Sequence, residues 1–144
     1  MKQKTFLILD GNALLHRTWH AIPQTMTTSA GTVVNAAYGF TNILERLLDT
    51  VKPDEMAVAW DLPGKTFRHE EYEPYKATRV KKEQELYDQI PIIQNILTTY
   101  GVPSLSVPGF EADDILGTIA ELNKKRGVKT IIVTGDMDAL QLID

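Results

Sequence analysis

Thr5-Phe6-Leu7-Ile8-Leu9-Asp10 is the stretch on which the fold turns. It is a short apolar run without polar alternation, closed by a single acid, and it reads as a strand covered on both faces. The pattern returns at residues 56–60, which run into Asp61, and at residues 129–133, which run into Thr134-Gly135-Asp136. Residues 104–107 are a shorter strand, third in chain order, which makes residues 129–133 the fourth. Between strands the period changes to that of a helix. Residues 33–51 place Val33, Ala36, Ala37, Phe40, Ile43, Leu44, Leu47 and Leu48 on one face, and Pro53 ends the run. Residues 12–21 are helical and stop before Pro23, and residues 111–125 are an amphipathic helix with Ile115, Ile119 and Leu122 inward. Residues 83–100 are helical and closed by Gly101, with Pro91 either kinking one helix or separating two. Residues 138–143 begin a last helix. Such alternation predicts an α/β fold in one domain over residues 1–144, a mostly parallel, twisted central sheet with helices on both faces.

The composition sets the outer limits. Hydrophobic residues make up 43% of the 144, enough for a core, and no apolar run approaches the roughly 18 residues that span a bilayer. The chain has no cysteine, which removes disulfide and thiolate chemistry and suits a reducing cytoplasm. The net charge of −4 argues against a generally basic nucleic-acid binder, yet the charge is uneven. Residues 62–82 carry six cations, Lys65, Arg68, Lys76, Arg79, Lys81 and Lys82, against three acids. Phe67, Tyr72 and Tyr75 interleave with them, a pattern able to neutralise phosphates and stack on unpaired bases, or simply a solvated loop. Pro63-Gly64-Lys65-Thr66 ends like a phosphate-binding loop, but the position of its earlier glycine is Ala59, so the backbone cradle is missing.

The acids cluster where an open parallel sheet keeps its functional residues, beyond the carboxyl ends of the strands. Asp10 follows the first strand, Asp61 the second, Glu111, Asp113 and Asp114 the third, and Asp136 and Asp138 the fourth. Each alone suits a helix cap or turn. As a set they conflict, because like charges about 4 Å apart repel by ~4 kcal/mol at an effective dielectric near 20. A divalent cation resolves that conflict. An all-oxygen donor set without cysteine favours Mg2+ or Mn2+ over zinc, and so many carboxylates suggest two ions, the arrangement that hydrolyses phosphodiesters. His16 and His20 lack the glutamate of a zinc-protease helix and read as surface or packing residues, and His69 reads as solvated.

Several motifs in order, Leu9-Asp10-Gly11-Asn12, Tyr38-Gly39-Phe40, Trp60-Asp61, Lys65-Thr66-Phe67-Arg68, Tyr75-Lys76-Ala77-Thr78-Arg79, Pro108-Gly109-Phe110-Glu111-Ala112-Asp113-Asp114 and Thr134-Gly135-Asp136-Met137-Asp138, resemble those of a known family. It is the 5′-nuclease domain found at the N-terminus of bacterial DNA polymerase I, kin to phage 5′-exonucleases and flap endonucleases. The resemblance implies a PIN-like, resolvase-like fold with a basic arch at residues 62–82, and two-metal removal of nucleotides or flaps from DNA 5′ ends in replication and repair. It implies that Asp10, Asp61, Glu111 and Asp113 hold the first ion, and that Asp113, Asp114, Asp136 and Asp138 serve the second. Lys76 and Arg79 would steer the scissile phosphate, and Arg17, Phe67, Arg68 and Tyr75 would contact DNA or order the arch. Members of the family continue with a helix-three-turn-helix element and, in the polymerases, a polymerase region. The chain is therefore expected to be the N-terminal α/β part of such a domain. A PIN-like ribonuclease, or a catalytically incomplete fragment that binds metal and DNA, remains the alternative. A haloacid-type phosphatase would want an aspartate where the chain has Asn12.

Overall fold

The computed structural model describes residues 3–61, 84–134 and 141–143, the last three by backbone alone. In order, its elements are β1 (Thr5–Asp10), α1 (Gly11–Ala21), α2 (Asn35–Val51), β2 (Glu55–Ala59), α3 (Gln89–Thr99), β3 (Ser104–Leu105), α4 (Ala112–Lys125), β4 (Lys129–Val133) and β5 (Gln141–Ile143). The strands form one sheet in the order β3-β2-β1-β4-β5. The first four run parallel, with Leu9 set between Val58 and Val133. β1 is thus central, and Leu7, Ile8 and Leu9 are fully buried.

Alternation along the strands sends successive side chains to opposite faces. Leu7, Leu9, Val58, Trp60 and Val133 pack with α1, α2 and α3, while Ile8, Ala59 and Ile132 pack with α4. The α1–α2–α3 layer also encloses two fully buried polar side chains. Asn35 donates to the carbonyls of Trp19 and Ile22 at 2.9 Å each, and Gln89 donates to Asn35 Oδ1 at 3.0 Å and accepts from the Ala37 N–H at 2.9 Å. Every end is satisfied, so the three helices are pinned in register without a buried polar penalty.

Three expectations change. Residues 141–143 form a strand antiparallel to β4, where the sequence suggested the start of a helix. An apolar run that short carries no period with which to tell the two apart. Pro91 kinks no helix; the chain does run as two helical segments there, with the break at Asp88 rather than at the proline. Residues 84–87 are one helical turn, Asp88 breaks it, and Pro91 falls in the first turn of α3, where its missing N–H costs nothing. Leu122 is 51% exposed, because the buried stripe of α4 runs through Ala112, Ile115, Leu116 and Asn123, the last donating to Thr130 Oγ1 at 2.9 Å.

Candidate active site

Asp10 is both the last residue of β1 and the N-cap of α1. Its extended backbone ends the strand, and its Oδ1 accepts from the Ala13 N–H at 3.1 Å. Gly11 makes the turn possible at this place. A Cβ there would lie 2.7 Å from the Trp60 ring and 2.9 Å from the Ala59 carbonyl, so only glycine lets α1 start against the end of β2. That close approach brings the next acid into range. The Asp61 N–H donates to Asn12 Oδ1 at 2.7 Å, and Asp61 Oδ1 accepts from the Ala112 N–H at the start of α4. Glu111 caps α4, and Asp113 lies in its first turn.

Asp10, Asp61, Glu111 and Asp113 therefore line one polar cleft of about 200 Å3 with Asn12, Ala13, His16, Tyr87 and Ala112. Its far wall is the pair His16 and Tyr87, whose rings meet edge to face at 5.8 Å and whose Nε2 and hydroxyl are 3.3 Å apart. Asp114 turns elsewhere. Its Oδ2 accepts from the Glu111 N–H at 3.0 Å, bracing the start of α4, and it borders a larger groove formed with Leu105, Val107, Phe110, Ile115 and Ile119. The three-residue spacing of Glu111 and Asp114 thus serves the helix end.

Burial raises the Asp10 carboxyl above its ordinary value. The Ala13 N–H opposes this, and the nearby Asp113 and Asp61 carboxylates raise it further. The cleft thus holds negative charge that would be relieved by a cation. Among the described residues no three acid or histidine side chains converge closely enough to hold an ion by direct contact alone.

Residues 5–144 match the family described as 5′-3′ exonuclease, N-terminal resolvase-like domain. The chain belongs to this family. It is 42% identical over 138 residues to the DNA polymerase I of Caldicellulosiruptor bescii, covering 96% of this chain and 16% of that protein. It is 41% identical over 140 residues to the 5′-3′ exonuclease of Aquifex aeolicus, covering 97% of this chain and 48% of that one. The chain therefore spans about one-sixth of its polymerase relatives and under half of the separate exonuclease. Among solved structures, the T5 5′-exonuclease with bound divalent zinc ions superposes with a TM-score of 0.61 at 19% identity, covering 94% of this chain and 51% of that one. A T5 flap endonuclease in complex with DNA and metal ions gives 0.61 at 18% identity over 92% of this chain and 49% of that one. At such identities the two establish a shared fold.

Within this exonuclease-family frame, the expected site residues divide into three groups. Asp10, Asp61, Glu111 and Asp113 come together in the cleft, and Asp114 lies beside it, facing away. Arg17 is exposed on α1, one residue past His16. Asp136, Asp138 and the whole of residues 62–82, with Phe67, Arg68, Tyr75, Lys76 and Arg79, lie outside the described residues, as does His69. Two lining residues escaped the sequence reading. Asn12 entered only as part of the motif around Asp10 and as a mismatch to a phosphatase, with no role in the site, and His16 as surface or packing. Their spacing of four on α1, which places both on one face with Asp10 at its head, was the available signal.

Proposed function

We propose that this chain is the N-terminal α/β part of a 5′-3′ exonuclease domain that hydrolyses DNA phosphodiesters at a 5′ end or flap, within a DNA polymerase I of replication and repair. The observation that carries this is the convergence of acids from three strand ends on one small cleft, where burial, Asp113 and Asp61 all disfavour the charged form of Asp10 in the absence of a cation. Mg2+ or Mn2+ are the cations that such donors suit. Asp10, Asp61, Glu111 and Asp113 would hold the first, partly through water. Asp113, with Asp114, Asp136 and Asp138, would serve a second. Bound cations supply charge neutralisation and Lewis acidity for phosphodiester hydrolysis.

The chain's own groups set the geometry. Asp61 is fixed at both ends, its N–H by Asn12 and its carboxylate by the Ala112 N–H, so it presents one defined oxygen edge. Asp10 is oriented by its cap bond to Ala13 and is partly buried at the floor of the cleft. Lys76 and Arg79 are the proposed groups that draw the scissile phosphate in, and Arg17, Phe67, Arg68 and Tyr75 the proposed DNA contacts. The charge of residues 62–82 and the exposure of Arg17 support those roles. Among the described residues no helix is long and apolar enough to cross a membrane, and the cysteine-free chain suits a cytoplasmic setting.

Incubating the protein with a 5′-flap DNA and Mg2+ tests the reading. Short 5′ products are expected, and none should form with a chelator. Cleavage that persists in Asp113→Ala would remove the cleft from the chemistry.

A further inference from the structure

We propose that Asn12 is the side chain of this cleft that hydrogen-bonds substrate phosphate, offering a neutral donor to a non-bridging oxygen; that the ligand is a phosphate rests on the nuclease reading above. A carboxylate-lined cleft can accept hydrogen bonds but gives none, so an anionic substrate needs donors from somewhere else in the lining. Several donors of the lining are already committed. The Ala13 N–H is already given to Asp10, and the Ala112 N–H to Asp61. The Asp61 N–H is given to Asn12 itself. His16 and Tyr87 are engaged with each other across 3.3 Å.

Asn12 differs from all of these. A backbone N–H can only donate, so the Asn12 atom 2.7 Å from the Asp61 nitrogen must be the carbonyl oxygen. The amide is thereby locked, and its two N–H donors lie at the opposite end. Among the described residues Nδ2 has no partner, while no buried side-chain polar atom there is left unsatisfied. Asn12 lines the cleft, and its Nδ2, neither bonded nor buried without a partner, is the donor it has to offer there. One side chain thus performs two tasks, holding Asp61 in place through its oxygen and meeting the phosphate through its nitrogen. A neutral donor suits this position, because a lysine or arginine so close to Asp10 and Asp61 would compete with the cation for the same carboxylates.

The test is nuclear magnetic resonance on the nitrogen-labelled chain with Mg2+ present and thymidine 5′-monophosphate as the probe. The Asn12 side-chain amide should shift saturably. Asn12→Ala, which removes the donor, should bind the probe roughly tenfold more weakly, as loss of a hydrogen bond to a charged group implies. Asn12→Asp keeps an acceptor for the Asp61 N–H, so it should stay folded, melting somewhat below the wild type because it adds a carboxylate to an acidic cleft, and still lose the same binding. An Asn12 amide that stays still while the probe saturates, or that shows no saturable shift at any probe concentration, overturns the proposal. So does wild-type affinity in both variants. Failure here is separable from failure of the nuclease reading. A chain that binds the nucleotide through Asn12 yet cleaves no flap keeps this role and loses that reading. Flap cleavage by Asn12→Ala with unchanged kcat and KM does the reverse.

Discussion

The two faces of the sheet are built to different depths. Among the described residues, eighteen buried apolar side chains fill the face under α1, α2 and α3, including Trp60 stacked on Phe40 at 5.8 Å, whereas six fill the face under α4. The cleft straddles them. Asp10, Asn12 and His16 stand on α1, rooted in the thick core, while Glu111 and Asp113 stand on the first turn of α4, over the thin one. The bond from the Ala112 N–H to Asp61 ties the two walls together. Local opening follows the density of buried contacts, so one wall is a fixed template and the other has room to adjust. A site that must accept cations and a polymer benefits from that division.

Asp61 is where the comparison breaks most sharply, since it belongs to both walls. Asp61→Ala should cut flap cleavage by at least about 100-fold, the upper end of what loss of a metal-supporting group costs. Asp61→Asn, which still accepts from Ala112, should melt near wild type while losing comparable activity. Gel-resolved cleavage and thermal melting read the two effects separately. Equal activity in both variants and the wild type would mean that the tie between the walls is structural only.

Core truncations address the depths themselves. Leu44→Ala, in the thick layer, should cost about 3 kcal/mol by denaturant melts, in the usual range for a buried leucine. It should leave the extra stability gained on adding Mn2+ unchanged. Ile115→Ala, under α4, should cost about 2 kcal/mol yet visibly shrink the gain from Mn2+, because Glu111 and Asp113 ride on that helix. The opposite pattern would reverse the assignment of template and adjustable wall. Gly11→Ala should cost about 1–3 kcal/mol through overpacking, as the Ala59 carbonyl that the new methyl meets is backbone and cannot swing away.

The smallest effect is in Asp10. Its carboxyl is raised by burial first and by Asp113 and Asp61 after that, so the metal-free fold disfavours its charged form relative to the unfolded chain. Stability is then lost as pH rises from the ordinary value of 3.8 through the raised one, since the folded chain binds more protons than the unfolded chain in that window. Asp10→Asn keeps the cap, asparagine being as good there as aspartate. In chelator at neutral pH it should melt a few degrees higher than the wild type, and the gap should close below pH 3.8.

Much of this was written in the chain. The three longer parallel strands were legible because each is a short apolar run with an acid at or just beyond its end, and the acids followed from the same pattern. What stayed hidden depended on direction. Glu111, Asp113 and Asp114 are near neighbours in sequence, and only the placed helix shows Asp113 turned into the cleft and Asp114 turned back to the Glu111 N–H. β5 was hidden because Gln141–Ile143 is too short to carry a period, and its pairing partner is set by β4. Asn12 and His16 were hidden because a polar residue near a helix start has many ordinary uses, and only the approach of β2 and of Tyr87 gives them specific ones.

The central claim is that Asp10, Asp61, Glu111 and Asp113 form a cation site. Thermal melting of wild type and Asp10→Asn across a Mn2+ titration tests it most directly. An ion bound only by the folded chain adds about 2.7 kcal/mol at a hundredfold excess over its Kd. The account predicts a rising, saturating Tm for the wild type and a flat one for Asp10→Asn. A flat wild-type curve at millimolar Mn2+, or equal curves for the two chains, would contradict it.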